Sequence, residues 1–204
     1  GISTYIEACG GGGPEFSSIS VGKNGNVIAK IGTQSNGQGH ETAYAQIISE
    51  VLQVDIDQIE IFQGNSTEIP KGSGTGGSRS IPVGGSALYK TAQNVISNSI
   101  NILSKYLNVK KQEINFKNGS FNVRNEIFSF TDLVSIAEKI NEKIEINDEW
   151  APPRGSFTYP NGVHICELEI DKQTGKTEVL SYTVVDDFGK VINPILLEGQ
   201  VHGG

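Results

Sequence analysis

The chain has 204 residues, 36% of them hydrophobic, which suits one domain or two small ones around an ordinary core. Sixteen basic against 23 acidic residues leave a net charge of −7, which excludes a broad electrostatic footprint for nucleic acid or an anionic membrane. A bound polyanion would have to be gripped locally.

Cys9 and Cys166 have neither CxxC spacing nor the density of a disulfide framework, so a reducing cytoplasm is the expected setting. No apolar run approaches the roughly 20 residues that cross a bilayer, and no signal peptide opens the chain. The absence of methionine and the glycine-rich end "GQVHGG" read as an internal segment of a longer protein.

In chain order, Ile2 to Ala8 alternates like a strand and runs into the loop Cys9-Gly-Gly-Gly-Gly-Pro14. "SSISVGKNGNVIAKIG" predicts a hairpin, with Asn24-Gly25 supplying a type I′ turn. After "TQSNGQGH", the spacing of Tyr44, Ile47, Ile48, Val51 and Leu52 predicts an amphipathic helix from about Glu41. "IEIF" reads as a short buried strand, followed by a long polar, glycine-rich loop.

From Ser86, the positions Leu88, Ala92, Val95, Ile96, Ile100, Leu103 and Leu107 form one stripe and predict the longest helix. A second Asn-Gly hairpin with a third short strand follows, then a helix capped by Thr131. Residues 108–150 thus read as a small β-β-α insertion. Near the end, two long strands meet at a Thr174-Gly175 turn. A weak internal repeat pairs Gly37-Gln38-Gly39-His40 with Gly199-Gln200-Val201-His202, each following a hairpin and a loop, and predicts a helix after Gly204.

Gly72 to Gly77 matches GxGxxG in form, but it follows "EIPK" and no acidic residue lies at the dinucleotide-binding distance, so a Rossmann reading fails. A P-loop also fails, because Ser78-Arg79 follows Gly77. Gly76 to Ser80 still combines unhindered amides, two hydroxyls and a guanidinium ahead of a long helix. That set grips phosphate, or it is a flexible linker. Gln38 between two glycines either presents its amide to a ligand or belongs to a simple cap and turn.

His40, His164 and His202 lack metal-ligand spacing, Asp186 and Asp187 point to opposite faces of a strand, and no nucleophile elbow occurs. Cys9 reads as a small buried residue at a strand end, with a reactive thiol as the alternative. No catalytic or metal-binding side chain is predicted.

Together "GISTYIEACGGGGPE", "GTQSNGQGHETAYAQI", "GTGGSRSIPVGGSA" and "VVDDFGKVINPILLEGQVHGG" resemble the molybdopterin-binding large subunit of the xanthine dehydrogenase, aldehyde oxidase and carbon monoxide dehydrogenase family. The resemblance spans nearly the whole chain and is weakest from about Leu107 to Arg154. It implies that residues 1–204 are part of a molybdopterin-binding domain, the second of two that enclose a molybdenum-bound pterin, in bacteria often as the cytosine dinucleotide. By the same resemblance, Gly37, Gln38 and Gly39 match one cofactor loop, and Gly77, Ser78, Arg79 and Ser80 match the loop holding the pterin and its pyrophosphate.

The implied activity is molybdenum-dependent oxidation of carbon monoxide, aldehydes or heterocycles with oxygen from water. The implied partners are the rest of the large subunit, FAD-binding and iron–sulfur subunits or domains, and a small-molecule substrate. The catalytic glutamate and substrate loop of the family have no counterpart in these residues, so the isolated piece is expected to be inactive and to bind cofactor poorly. The competing reading is a non-catalytic ligand-binding or assembly module. Because the strands come as hairpins, the predicted fold class is α+β: mostly antiparallel sheets with helices packed on them, a two-layer sandwich with an internal pseudo-repeat.

Overall fold

A computed structural model describes residues 1–11 and 13–204, so the glycine loop read after Cys9 is described apart from residue 12. In chain order the elements are β1 (Ile2–Ile6), β2 (Glu15–Val21), β3 (Val27–Ile31), α1 (His40–Leu52), β4 (Ile59–Phe62), α2 (Ser86–Leu107), β5 (Ile114–Lys117), β6 (Ser120–Val123), β7 (Glu126–Ser129), α3 (Phe130–Lys139), β8 (Glu145–Trp150), β9 (Asn161–Ile170), β10 (Thr177–Asp187) and α4 (Pro194–Gly203).

These strands form three sheets, ordered β4-β3-β2-β8, β5-β6-β7 and β1-β9-β10. All pairings are antiparallel except β3 with β4, so the α+β expectation holds with one parallel pair. That pair follows from the crossover through α1, which returns the chain in its original direction. As a result "IEIF" is a half-buried edge strand and not a buried one.

The main core is a two-layer arrangement. Ile19 and Val21 of β2 with Val27, Ala29 and Ile31 of β3 meet Tyr44, Ile48 and Leu52 of α1 and Leu88, Ala92, Val95, Ile102 and Leu103 of α2. The stripe read on α2 is the stripe that is buried, because a 22-residue helix repeats its apolar face often enough to be unmistakable. Phe121, Phe130 and Leu133, from the stretch read as an insertion, join the same cluster. β8, at the end of that stretch, completes the main sheet against β2.

Several local expectations need correction. At Gly22 to Asn26, only Gly25 has positive φ (83°), Gly25 N donates to Gly22 O and Gly22 N to Asn26 O. This is a type I turn closed by a left-handed glycine, because five residues separate the arms where type I′ needs two. The second Asn-Gly does make type I′ geometry, with Asn118 at φ 52° and Gly119 at φ 69°. Ser129, not Thr131, caps α3, through a reciprocal box with Asp132.

Gly199 to His202 lies inside α4, which begins earlier at Asn193 as N-cap with Pro194 at its first turn. The proposed repeat therefore fails at that point: in its first copy Gly37 to Gly39 precede a helix that starts at His40, and here all four corresponding residues lie within one.

Candidate functional site

Two glycine loops feed the two long helices of the core. Residues 32–39 connect β3 to α1, and residues 72–79 lead into a π turn at Ser80–Gly85 that continues into α2. Neither α1 nor the π turn has a side-chain cap. Backbone amides at such starts carry the positive end of the helix dipole and favour an anion.

The loops approach each other where their glycines require it. A Cβ on Gly32 would lie 2.2 Å from Glu15 Oε1 and 2.5 Å from Lys71 O, and one on Gly72 would lie 2.4 Å from Gly32 O. Beyond that contact the chains diverge into open positions: Cβ atoms at Gly37, Gly74, Gly76 and Gly77 would meet nothing within 4 Å among the described residues. Gly37 (φ 96°), Gly39 (φ 78°), Gly77 (φ 56°) and Ser78 (φ 51°) all adopt left-handed backbone, a conformation from which anion-binding nests of successive amides are built.

Two buried devices hold these loops. The hydroxyls of Thr33 and Tyr44 share a hydrogen bond of 2.9 Å, and Tyr44 donates to Ser80 O at 3.0 Å, so one phenol joins the start of the first loop to the end of the second. Burial pushes the Tyr44 phenol up to about 12, and it stays a neutral donor. Arg79 is 5% exposed and forms a salt bridge with fully buried Glu15 at the start of β2. Its guanidinium also donates to Gly74 O at 3.0 Å and Gly13 O at 3.3 Å. Burial raises the Glu15 carboxyl and Arg79 opposes that rise.

The predicted site residues therefore have different roles in the geometry. Gly37, Gln38 and Gly39 form the first loop; the Gln38 side chain accepts from Asn36 N, and Leu196 of α4 packs against Gly39. Gly77, Ser78 and Ser80 lie in the second loop, where Gly10 N donates to Gly77 O at 3.5 Å and Ser78 Oγ to Glu7 at 3.4 Å. The Thr75 and Ser80 hydroxyls are in contact. Arg79 faces inward, towards Glu15. Sequence reading did not reveal Glu15 or Tyr44 as part of this assembly. Tyr44 looked like one more residue of an apolar stripe, and nothing near Glu15 in sequence announces a buried carboxylate.

Cys9 is buried, as read, but it lies beyond the end of β1, in an isolated bridge with Thr158. Asp186 and Asp187 both end β10, and Asp187 accepts from Gly189 N at 2.8 Å in the turn that follows. Among the described residues, no group of three or more His, Cys, Asp or Glu could hold a metal ion, and no helix is long and apolar enough to cross a membrane.

Backbone-lined loops of this kind, at two helix starts, are chemically suited to an anionic group. The family model described as "Molybdopterin cofactor-binding domain" matches residues 1–204, and the chain belongs to that family. It is 34% identical to the carbon monoxide dehydrogenase large chain of Hydrogenophaga pseudoflava, covering all of this chain and 26% of that protein. It is 27% identical to the nicotine 6-hydroxylase large subunit of Paenarthrobacter nicotinovorans, again over the whole chain and 28% of the relative. The reconstituted CO dehydrogenase from Oligotropha carboxidovorans superposes with a TM-score of 0.86 at 34% identity, over all of this chain and 28% of that one. The chain thus spans about a quarter of the length of the relatives it matches.

Proposed function

We propose that this segment forms one wall of the molybdenum-cofactor site in the large subunit of a molybdenum hydroxylase. The observation that carries it is the pair of open, left-handed glycine loops at the starts of α1 and α2, in a chain that the molybdopterin cofactor-binding family model matches over its full length.

The donor set fits such a group. Gly37, Gln38 and Gly39 would contact it through amides and one carboxamide, and Gly77, Ser78 and Ser80 through amides and hydroxyls, with Arg79 bracing their loop. The empty space above Gly37, Gly76 and Gly77 admits close approach of a ligand to the backbone, which a side chain would block. A dianionic pyrophosphate, as in the cytosine dinucleotide form, suits amides presented by uncapped helix starts. When bound, the molybdenum–pterin group supplies the redox chemistry; the residues of this chain orient it and shield one side from water. No residue here is assigned to catalysis.

The activity of the whole protein is oxidation of carbon monoxide, an aldehyde or a heterocycle, with electrons passed to FAD and iron–sulfur partners in the cytoplasm. The exposed sheet β1-β9-β10 packs on the rest of the large subunit, and the isolated segment is inactive and retains cofactor poorly. A connector role for the glycine loops leaves their two buried braces without a purpose.

The test uses the longer protein that carries this segment, expressed with molybdate. Wild type should contain molybdenum and pterin near one per chain, and Gln38→Ala and Gly77→Val should each lower that content at least about tenfold, the range for groups that orient a bound metal centre, while circular dichroism is unchanged. Wild type without molybdenum, or variants with undiminished content, would overturn the assignment.

A further inference from the structure

Glu15 touches none of the open positions of the two loops, yet both loops leave from it. Its Oε2 accepts from Arg79 Nη1, and its Oε1 is packed against the Gly32 backbone with no hydrogen-bond partner among the described residues. The side chain lies on the α-helical face of the main sheet, in line with Ser17, Ile19 and Val21, and Ser17 on that face shares a hydrogen bond of 2.7 Å with Thr91 of α2. The carboxylate is therefore fixed by a core strand. Arg79 reaches it from the mouth of the π turn, and the same guanidinium closes the 74–79 loop on the Gly74 carbonyl.

We propose that Glu15 is a positioning residue for the cofactor loop and acts through Arg79. The inference rests on the cofactor-site reading above. A guanidinium cannot shed its proton, and one buried to this degree is tolerable only beside a compensating charge. Glu15 supplies that charge inside the protein. Arg79 then stays turned inward, with Nη1 donating to Glu15 and Gly74 and Nη2 to Gly13 while Nε has no partner among the described residues, and the amides of Gly77 to Ser80 are left for the ligand. Without the carboxylate, Arg79 would have to turn towards water or towards the ligand's phosphates, and the left-handed stretch at Gly77-Ser78 would lose its anchor. Arg79, the residue whose charge makes it the obvious phosphate ligand, thus holds the loop from behind.

The experiment compares wild type, Glu15→Gln, Glu15→Asp, Arg79→Ala and the Glu15→Gln/Arg79→Ala double variant in the longer protein. Molybdenum and pterin content after prolonged dialysis is measured alongside amide hydrogen exchange. Glu15→Gln should reduce cofactor retention about 10- to 100-fold, the range seen for groups that support a ligand from behind. It should also speed exchange at residues 72–80 while exchange in β3 and α2 is unchanged. Glu15→Asp, which keeps the charge, should restore part of both, and it carries the test should Glu15→Gln fail to fold. The double variant should be no worse than Arg79→Ala alone.

Loss of cofactor in Arg79→Ala with full retention in both Glu15 variants would mean that Arg79 grips the ligand directly and would overturn the proposal. Additive losses in the double variant would overturn it as well. If wild type carries no molybdenum or pterin, the cofactor-site reading fails while the exchange arm still decides whether Glu15 holds the loop.

Discussion

Five of the seven residues of β2 are buried, whereas none in β9 or β10 is. The main sheet alternates in the ordinary way, with one face on helices, and its apolar residues reach the interior of this chain. The sheet β1-β9-β10 is as rich in apolar residues, yet among the described residues no helix packs extensively on it. Register places Ile2, Ile6, Val163, Ile165 and Val185 together on one side, with Ile2 76%, Ile6 71% and Val185 65% exposed. The two sheets show that apolar β-pattern and burial separate where a sheet lacks a covering layer within the described residues. Contiguous exposed apolar residues of this kind are the composition that interaction surfaces commonly have.

The largest effect that would break this contrast comes from truncating one side chain in each sheet system. In the 204-residue chain Leu88→Ala should cost about 2–5 kcal/mol, because a fully buried leucine leaves a cavity between α2 and the main sheet. Ile6→Ala should cost no more than about 0.5 kcal/mol, as for an exposed position. Urea denaturation measures both. Equal costs would abolish the distinction. In the longer protein the cost of Ile6→Ala should rise towards that of a core position, since the partner layer is then present.

How much could be read from sequence follows the same division. The stripe on α2 and the hydrophobic helix α1 were legible because burial there is internal and periodic. The Asn-Gly pairs marked both hairpins, but the dipeptide does not reveal how many residues separate the arms, so Gly22 to Asn26 was read with the wrong turn. Asn193-Pro194 is a strong helix-start signal that was overshadowed by the apparent repeat at Gly199 to His202. Arg79 drew attention through its charge, and its inward direction was invisible because Glu15 lies 64 residues away. The four sequence blocks around the glycine loops identified the family, and the braces behind those loops are tertiary facts.

A smaller effect tests the buried side through Tyr44. Tyr44→Phe removes the bond to Ser80 O and the link to Thr33, which should cost about 1–3 kcal/mol for leaving buried polar groups unpaired. It should also change the alkaline limb of stability. The folded phenol titrates at about 12 and the unfolded one at 10.0. The unfolded chain therefore loses its proton first, and the Tyr44 contribution, complete below pH 10.0, is lost as pH rises towards 12. Urea midpoints measured across that window should fall for wild type and flatten in Tyr44→Phe. The same alkaline fall in both would show that Tyr44 is not the group responsible.

The smallest effect lies in the exposed sheet, where local devices replace a covering layer. At the β9–β10 turn the Asp171 carboxylate accepts from Thr174 N at 2.7 Å, from the Thr174 hydroxyl at 2.9 Å and from Gln173 N at 2.8 Å. These bonds, the Thr174 amide first, hold its carboxyl below the ordinary aspartate value of 3.8. A depressed folded value means that the turn's contribution is complete above pH 3.8 and is lost as acid titrates the folded carboxylate. Asp171→Ala should therefore speed amide exchange at Gln173 to Gly175 and remove the acid-dependent fraying of that turn. It should leave the melting of the main core unmoved, since the two sheets share little structure through which the loss could spread. A drop in global melting temperature comparable to that of Leu88→Ala would mean that the exposed sheet and the core unfold as one unit, and the contrast between them would then describe their surfaces alone.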